Sequence, residues 1–100
     1  MKVRFSAAAE YDLYEAVVWY EESMPGLGTD FLTEADRAIR LISRFPEAAN
    51  DVGDGLRRVL IKRYPYGIWY AIEKEIIIVY AIAHLHRQPR NWQDRNSISS

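Results

Sequence analysis

The segment Ile76-Ile77-Ile78-Val79-Tyr80-Ala81-Ile82-Ala83 contains no charged residue and no alternation of polar and apolar positions. A strand of this composition must be covered on both faces, since either face left in water would expose large aliphatic groups. The run is far too short to span a bilayer, so the cover has to come from the chain itself. One hundred residues suit a single folding unit. Residues 1–96 are expected to form that unit, with Ser97-Ile98-Ser99-Ser100 as a disordered tail.

The N-terminal half supplies the cover. After a short opening strand, in which Val3 and Phe5 alternate with charged neighbours, Ser6 is placed to cap a helix running from Ala7 to about Ser23. Ala9, Leu13, Ala16, Val17 and Tyr20 recur at helical spacing and form its buried stripe. Met24-Pro25-Gly26 breaks the helix. A second helix is expected from near Thr29 to Arg44, burying Phe31, Ala35, Ala38, Ile42 and Phe45, with Pro46 beyond its end. Two amphipathic helices joined this closely make an antiparallel hairpin whose apolar stripes need a flat surface to cover.

Three strands provide that surface: Leu56 to Tyr64, Tyr66 to Glu73 and Ile76 to His84, joined by short turns at Tyr64–Gly67 and Glu73–Glu75. The expected fold is α+β in the order β-α-α-β-β-β, a helical hairpin on a mainly antiparallel four-stranded sheet. The tail beyond Arg87, with Pro89, Trp92 and Arg95, is expected to add a short helical turn.

Composition narrows the chemistry. There is no cysteine, which excludes disulfides and thiolate metal sites. His84-x-His86 alone falls short of a metal ligand set, and Gly26-x-Gly28 lacks the rest of a nucleotide-binding fingerprint. No cofactor and no metal are therefore expected. Met1 to Phe5 lacks a signal-peptide core, which gives a soluble, cytoplasmic protein with no membrane partner as the expectation. The net charge of −1 hides a split, with residues 1–54 at −6 and residues 55–100 at +5. Near-neutrality argues against indiscriminate nucleic-acid binding. The basic half suggests an acidic partner segment.

Several pieces in a fixed order resemble the RelE/ParE superfamily of toxins from bacterial type II toxin–antitoxin pairs, and in particular its ParE-like branch. They are Trp19-Tyr20-Glu21 at the end of the first helix, Pro25-Gly26-Leu27-Gly28 ahead of Phe31 and Leu32, and Arg57 or Arg58 ahead of Tyr64-Pro65-Tyr66 and Tyr70. Ala81-Ile82-Ala83-His84 with Arg87, Pro89 and Trp92 completes the set. The resemblance implies a toxin neutralised by a cognate antitoxin, ParD-like or RelB-like. It also implies one of two targets. RelE-like members enter the ribosome and cut mRNA, whereas ParE-like members poison DNA gyrase.

The nuclease needs a base, an acid and cations for the phosphorane charge. By the resemblance, position 58 keeps a basic residue and Arg87 matches the final arginine. Position 60 is Leu where a Lys is expected, position 67 is Gly where an Arg is expected, and no tyrosine follows Arg87. Gyrase poisoning is the favoured reading, with target or antitoxin contacts expected from Arg58, Lys62, Tyr66, His84, Arg87, Trp92 and Arg95. A ribosome-dependent endonuclease would rest on Arg58, Lys62, His84 and Arg87, with Arg58, Lys62 and Tyr64 sharing one strand face. A degenerate member that only binds antitoxin is the third possibility.

Overall fold

The structure, a computed structural model, describes residues 1–86. Seven elements follow in the order β1 (Lys2–Phe5), α1 (Ala7–Ser23), α2 (Leu27–Arg44), β2 (Asp51–Gly53), β3 (Leu56–Leu60), β4 (Tyr66–Glu73) and β5 (Ile76–His84). They form a two-layer α+β unit, with both helices packed on one face of a single sheet of strand order β1-β5-β4-β3-β2. Only β1 runs parallel to its neighbour; the other pairings are antiparallel.

The apolar run is β5, seated between β1 and β4. Ile77, Val79 and Ile82 point into the core beneath the helices, with Ala9, Ala16, Phe31, Ala35, Ala38 and Ile42 above them. Ile78, Tyr80 and Ala81 join Leu56, Trp69 and Ala71 in a second buried cluster on the other face. Burying an aliphatic side chain of this size contributes about 1.5–3 kcal/mol, so both faces of β5 stabilise the fold.

The alternation breaks once. Trp69 pairs with Ala81 and Tyr70 with Val79, leaving Tyr80 as the extra residue of a bulge. On its other edge, β5 is met here by Ser6, the residue between β1 and α1. The Ser6 N–H donates to the Val79 carbonyl at 2.9 Å and its hydroxyl donates to the Tyr80 carbonyl at 3.3 Å. The same hydroxyl accepts from the Ala9 N–H at 3.0 Å and caps the helix.

The hairpin is closed by a residue from the opposite helix. Gly26, ahead of α2, offers no side-chain cap. The Glu21 carboxylate instead accepts from the Gly26 N–H at 3.0 Å and the Gly28 N–H at 3.0 Å. A negative charge at a helix N-terminus is favourable. Gly28 is buried because α1 passes so close that an added Cβ would lie 2.6 Å from the Val17 carbonyl oxygen.

Four expectations need correction. The sheet has five strands: β2 is a three-residue exposed strand inside the polar loop, built by a turn whose Asp54 and Gly55 adopt positive φ, and it has no hydrophobic pattern to betray it. The strand expected to reach Tyr64 ends at Leu60. The Tyr64 N–H turns back to the Ile61 carbonyl, and Arg63 takes a positive φ of 72°. Helix α2 starts at Leu27, because Glu21 caps it two residues earlier than the sequence suggests. Phe45 lies beyond the helix and is 52 % exposed, outside the buried stripe. The expected helical turn and disordered tail lie outside the described residues.

Candidate functional site

The residues expected to act together fall on different surfaces. Arg58 pairs with Trp69 across β3 and β4, and its guanidinium lies 5.8 Å from the Trp69 ring centroid on the helix-free face of the sheet. Gly67 makes room for this stack, since a Cβ there would come within 3.1 Å of the Trp69 ring and 3.2 Å of the Arg58 side chain. Arg57 points the opposite way. One of its terminal nitrogens donates to the Ala49 carbonyl at 2.6 Å and the Glu47 carbonyl at 3.1 Å, tying down the loop before β2.

Tyr66 and His84 are brought together. They are register partners on β4 and β5, with ring centroids 5.6 Å apart. Tyr66 lies on the helix face, in contact with Phe31 at 5.2 Å and Tyr20 at 5.9 Å. The His86 ring is 5.2 Å from His84, and the His86 N–H donates to His84 Nδ1 at 3.2 Å. In neutral His84 the proton therefore resides on Nε2. Tyr66 and His84 thus lie on the face opposite Arg58.

Lys62 is exposed in the turn after β3 and makes no ion pair among the described residues. Tyr64 does not share a strand face with Arg58 and Lys62, because the strand has ended before it. Its hydroxyl donates instead to Asp30 at 2.5 Å. Arg87, Trp92 and Arg95 lie outside the described residues. Among the described residues no group of three or more His, Cys, Asp or Glu side chains is placed to hold a metal, and no helix is long and apolar enough to cross a membrane.

Sequence reasoning missed an ionic cluster that fixes this turn. Arg63 donates to Asp30 at 3.0 Å and to the buried Glu34 at 2.9 Å, and Glu34 also meets Arg37 at 3.4 Å. The Tyr64 hydroxyl and then Arg63 hold the Asp30 carboxyl below its usual range. Burial, followed by the Asp30 bond, pushes the Tyr64 hydroxyl up to about 12. The spacing of Asp30 and Glu34, four residues apart on one helix face, was the available signal. It had no identifiable partner until the chain folded.

Two surfaces stand out by exposure. On α1, Tyr11, Tyr14 and Trp19 face outward. Between the end of α2 and β3, Leu41, Ile42, Phe45, Val59 and Leu60 line a shallow hollow of about 260 Å³.

The described residues form a helical hairpin on a five-stranded sheet, with aromatic side chains exposed on α1. The chain is similar to a solved structure described as the chromosomal ParDE toxin–antitoxin system from P. aeruginosa. The TM-score is 0.75 at 15 % identity, over 84 % of this chain and 95 % of that one. No curated protein matches the chain significantly. The profile of the ParE toxin of type II toxin–antitoxin systems, parDE, matches residues 3–89, and the chain belongs to that family.

Proposed function

We propose that this ParE-family toxin acts by binding, poisoning DNA gyrase, and that a cognate antitoxin neutralises it. The observation that carries the reading is the Arg58–Trp69 stack across Gly67. A cation fixed on an aromatic face and separated by the sheet from Tyr66 and His84 serves packing and recognition better than phosphoryl chemistry. That chemistry needs its acid, base and cations around one reacting atom. The position where a nuclease would need an arginine is filled by the Arg58 and Trp69 side chains themselves.

The cytoplasm is the compartment this target implies. Arg58, Lys62, Tyr66, His84, Arg87, Trp92 and Arg95 remain the proposed contacts with gyrase or antitoxin, divided between two faces of the sheet and the tail. A wrapping partner would reach both faces.

A ribosome-dependent mRNA endonuclease is the second reading, favoured by the His84–His86 pair beside Tyr66. The two are separated by incubating purified toxin with gyrase, ATP and plasmid. Lost supercoiling or trapped cleaved DNA, reversed by antitoxin, is the expected result. Intact supercoiling at high toxin excess, with codon-positioned cuts in translated mRNA, would replace gyrase by the ribosome.

A further inference from the structure

Although the sequence split suggests an acidic partner for the basic half, three of its cations among the described residues are committed to separate tasks. Arg57 is bound to a loop, Arg58 to Trp69, and Arg63 to α2. The concentrated charge lies on α1, which carries Glu10, Asp12, Glu15, Glu21 and Glu22 and no Lys or Arg. Asp12 and Glu21 are used internally, on the Ile82 N–H and on Gly26 and Gly28. Glu10, Glu15 and Glu22 are exposed and make no ion pair among the described residues.

At about 100° per residue, Tyr11, Tyr14, Glu15, Val18, Trp19 and Glu22 form one continuous face, opposite the buried Ala9 and Ala16 and the partly buried Tyr20. Tyr11 is 60 % exposed and Tyr14 and Trp19 are each 66 % exposed. An aromatic side chain presents about 150–250 Å², so the three leave on the order of 300–450 Å² in water, the size of patch that marks interaction sites. Glu22 adds a second pointer. It stands at the negative end of the α1 dipole, where the last turn has no basic residue, and a cation arriving there would be favoured.

We infer that the outer face of α1 docks a cationic amphipathic segment of the antitoxin, its Lys or Arg groups set against Glu15 and Glu22 and over Trp19. This rests on the antitoxin reading above. Trp, Tyr and Arg are the residues that dominate interface energetics, and a cation over an indole gains further when desolvated.

The test is calorimetric titration of the toxin with the antitoxin encoded beside it, at low and high salt. The variants are Trp19→Ala and the double change Glu15→Lys with Glu22→Lys. All three positions are exposed, and melting curves verify that the variants fold. Trp19→Ala is expected to weaken binding roughly tenfold and the charge reversal roughly thirtyfold or more, with a flatter salt dependence for the latter. Variants binding within about twofold of the parent overturn the inference while leaving the antitoxin reading intact. A parent that binds no antitoxin overturns both. Sedimentation of the toxin alone supplies the remaining arm. Concentration-dependent mass that the charge reversal abolishes, with unchanged antitoxin affinity, overturns the inference and assigns the face to a second copy of the chain.

Discussion

The Asp12 carboxylate on α1 accepts the backbone N–H of Ile82 on β5 at 3.0 Å, across 70 residues of chain. Strand β1 pairs with β5 only as far as Phe5 and Val79, so beyond that point β5 has a bare edge. Helix α1 begins where β1 stops, and Ser6 and then Asp12 take over as the hydrogen-bonding partners of that edge. One short helix thus completes the sheet as well as covering it.

Removing this link should be costly for so small a change. In Asp12→Ala the Ile82 N–H loses its charged acceptor, which is worth about 1.5–3 kcal/mol where the site is shielded from water. Urea denaturation is expected to show a loss at the lower end of that range, because Asp12 is only partly buried, with no change in the slope of the transition. A loss below about 0.5 kcal/mol, the scale of an ordinary surface substitution, would mean that water replaces the carboxylate.

The close approach of the helices predicts a second destabilised variant. In Gly28→Ala the new Cβ would lie 2.6 Å from the Val17 carbonyl and 2.8 Å from Glu21 Cβ. Both atoms belong to or sit next to the α1 backbone and cannot swing away. The helices must separate, which also strains the Glu21 cap. Overpacking of this kind costs about 1–3 kcal/mol, and thermal unfolding should show a lower midpoint. Gly67→Ala meets the Trp69 ring and the Arg58 Cγ and Cδ at 3.1–3.2 Å and no backbone, and its midpoint should fall by less.

The Asp30–Tyr64 pair predicts stability changes at both ends of the pH scale. Asp30 is held below its usual carboxylate range, first by the Tyr64 hydroxyl and then by Arg63. Its contribution is therefore present above the unfolded pKa of about 4 and disappears as pH falls through the lower folded value. Asp30→Asn should be less stable than the parent at neutral pH and converge with it in acid. Tyr64 has the opposite sign. Its hydroxyl is pushed up to about 12, so its contribution is complete below the unfolded value of about 10 and is lost as pH rises towards 12. In Tyr64→Phe that part of the alkaline loss should be missing, and the tyrosinate absorbance titration should lose one late-ionising ring. Parallel acid curves for parent and Asp30→Asn would count against the assignment.

The elements legible in the sequence were those whose burial is periodic. Ala9, Ala16 and Tyr20 on α1, and Phe31, Ala35, Ala38 and Ile42 on α2, fall where a helical repeat puts them, and β5 is covered on both faces as its composition demands. The fold family was legible for the same reason, since its landmarks are core and turn residues. Strand β2 was not legible because its three exposed residues bury nothing. The placement of Arg58, Lys62 and Tyr64 failed at Arg63, where a positive φ held by Asp30 and Glu34 ends the two-residue period. That conformation depends on a helix more than 25 residues earlier in the chain, which no local pattern could reveal. The surface chemistry was hardest to read. Net charge assigned the cations to one partner, whereas folding commits Arg57, Arg58 and Arg63 to separate tasks.

Lys62 and Arg63, adjacent in sequence, should therefore separate toxicity from stability. Lys62 is exposed and makes no ion pair among the described residues, so Lys62→Ala is expected to leave the urea midpoint within the roughly 0.5 kcal/mol typical of surface changes. Any loss of growth arrest in that variant then reports a lost contact with the target. Arg63→Ala removes the nearer partner of the buried Glu34 and leaves it only the longer contact to Arg37 at 3.4 Å, and weakening the pairing of a buried carboxylate is destabilising. Its growth arrest should fall because less folded toxin accumulates, and co-expressed antitoxin should partly restore the folded amount by binding the native state. The measurement is growth arrest alongside soluble toxin level for both variants. If Lys62→Ala lowered the soluble level as much as Arg63→Ala, Lys62 would be part of the structural turn and would lose its place among the proposed contacts.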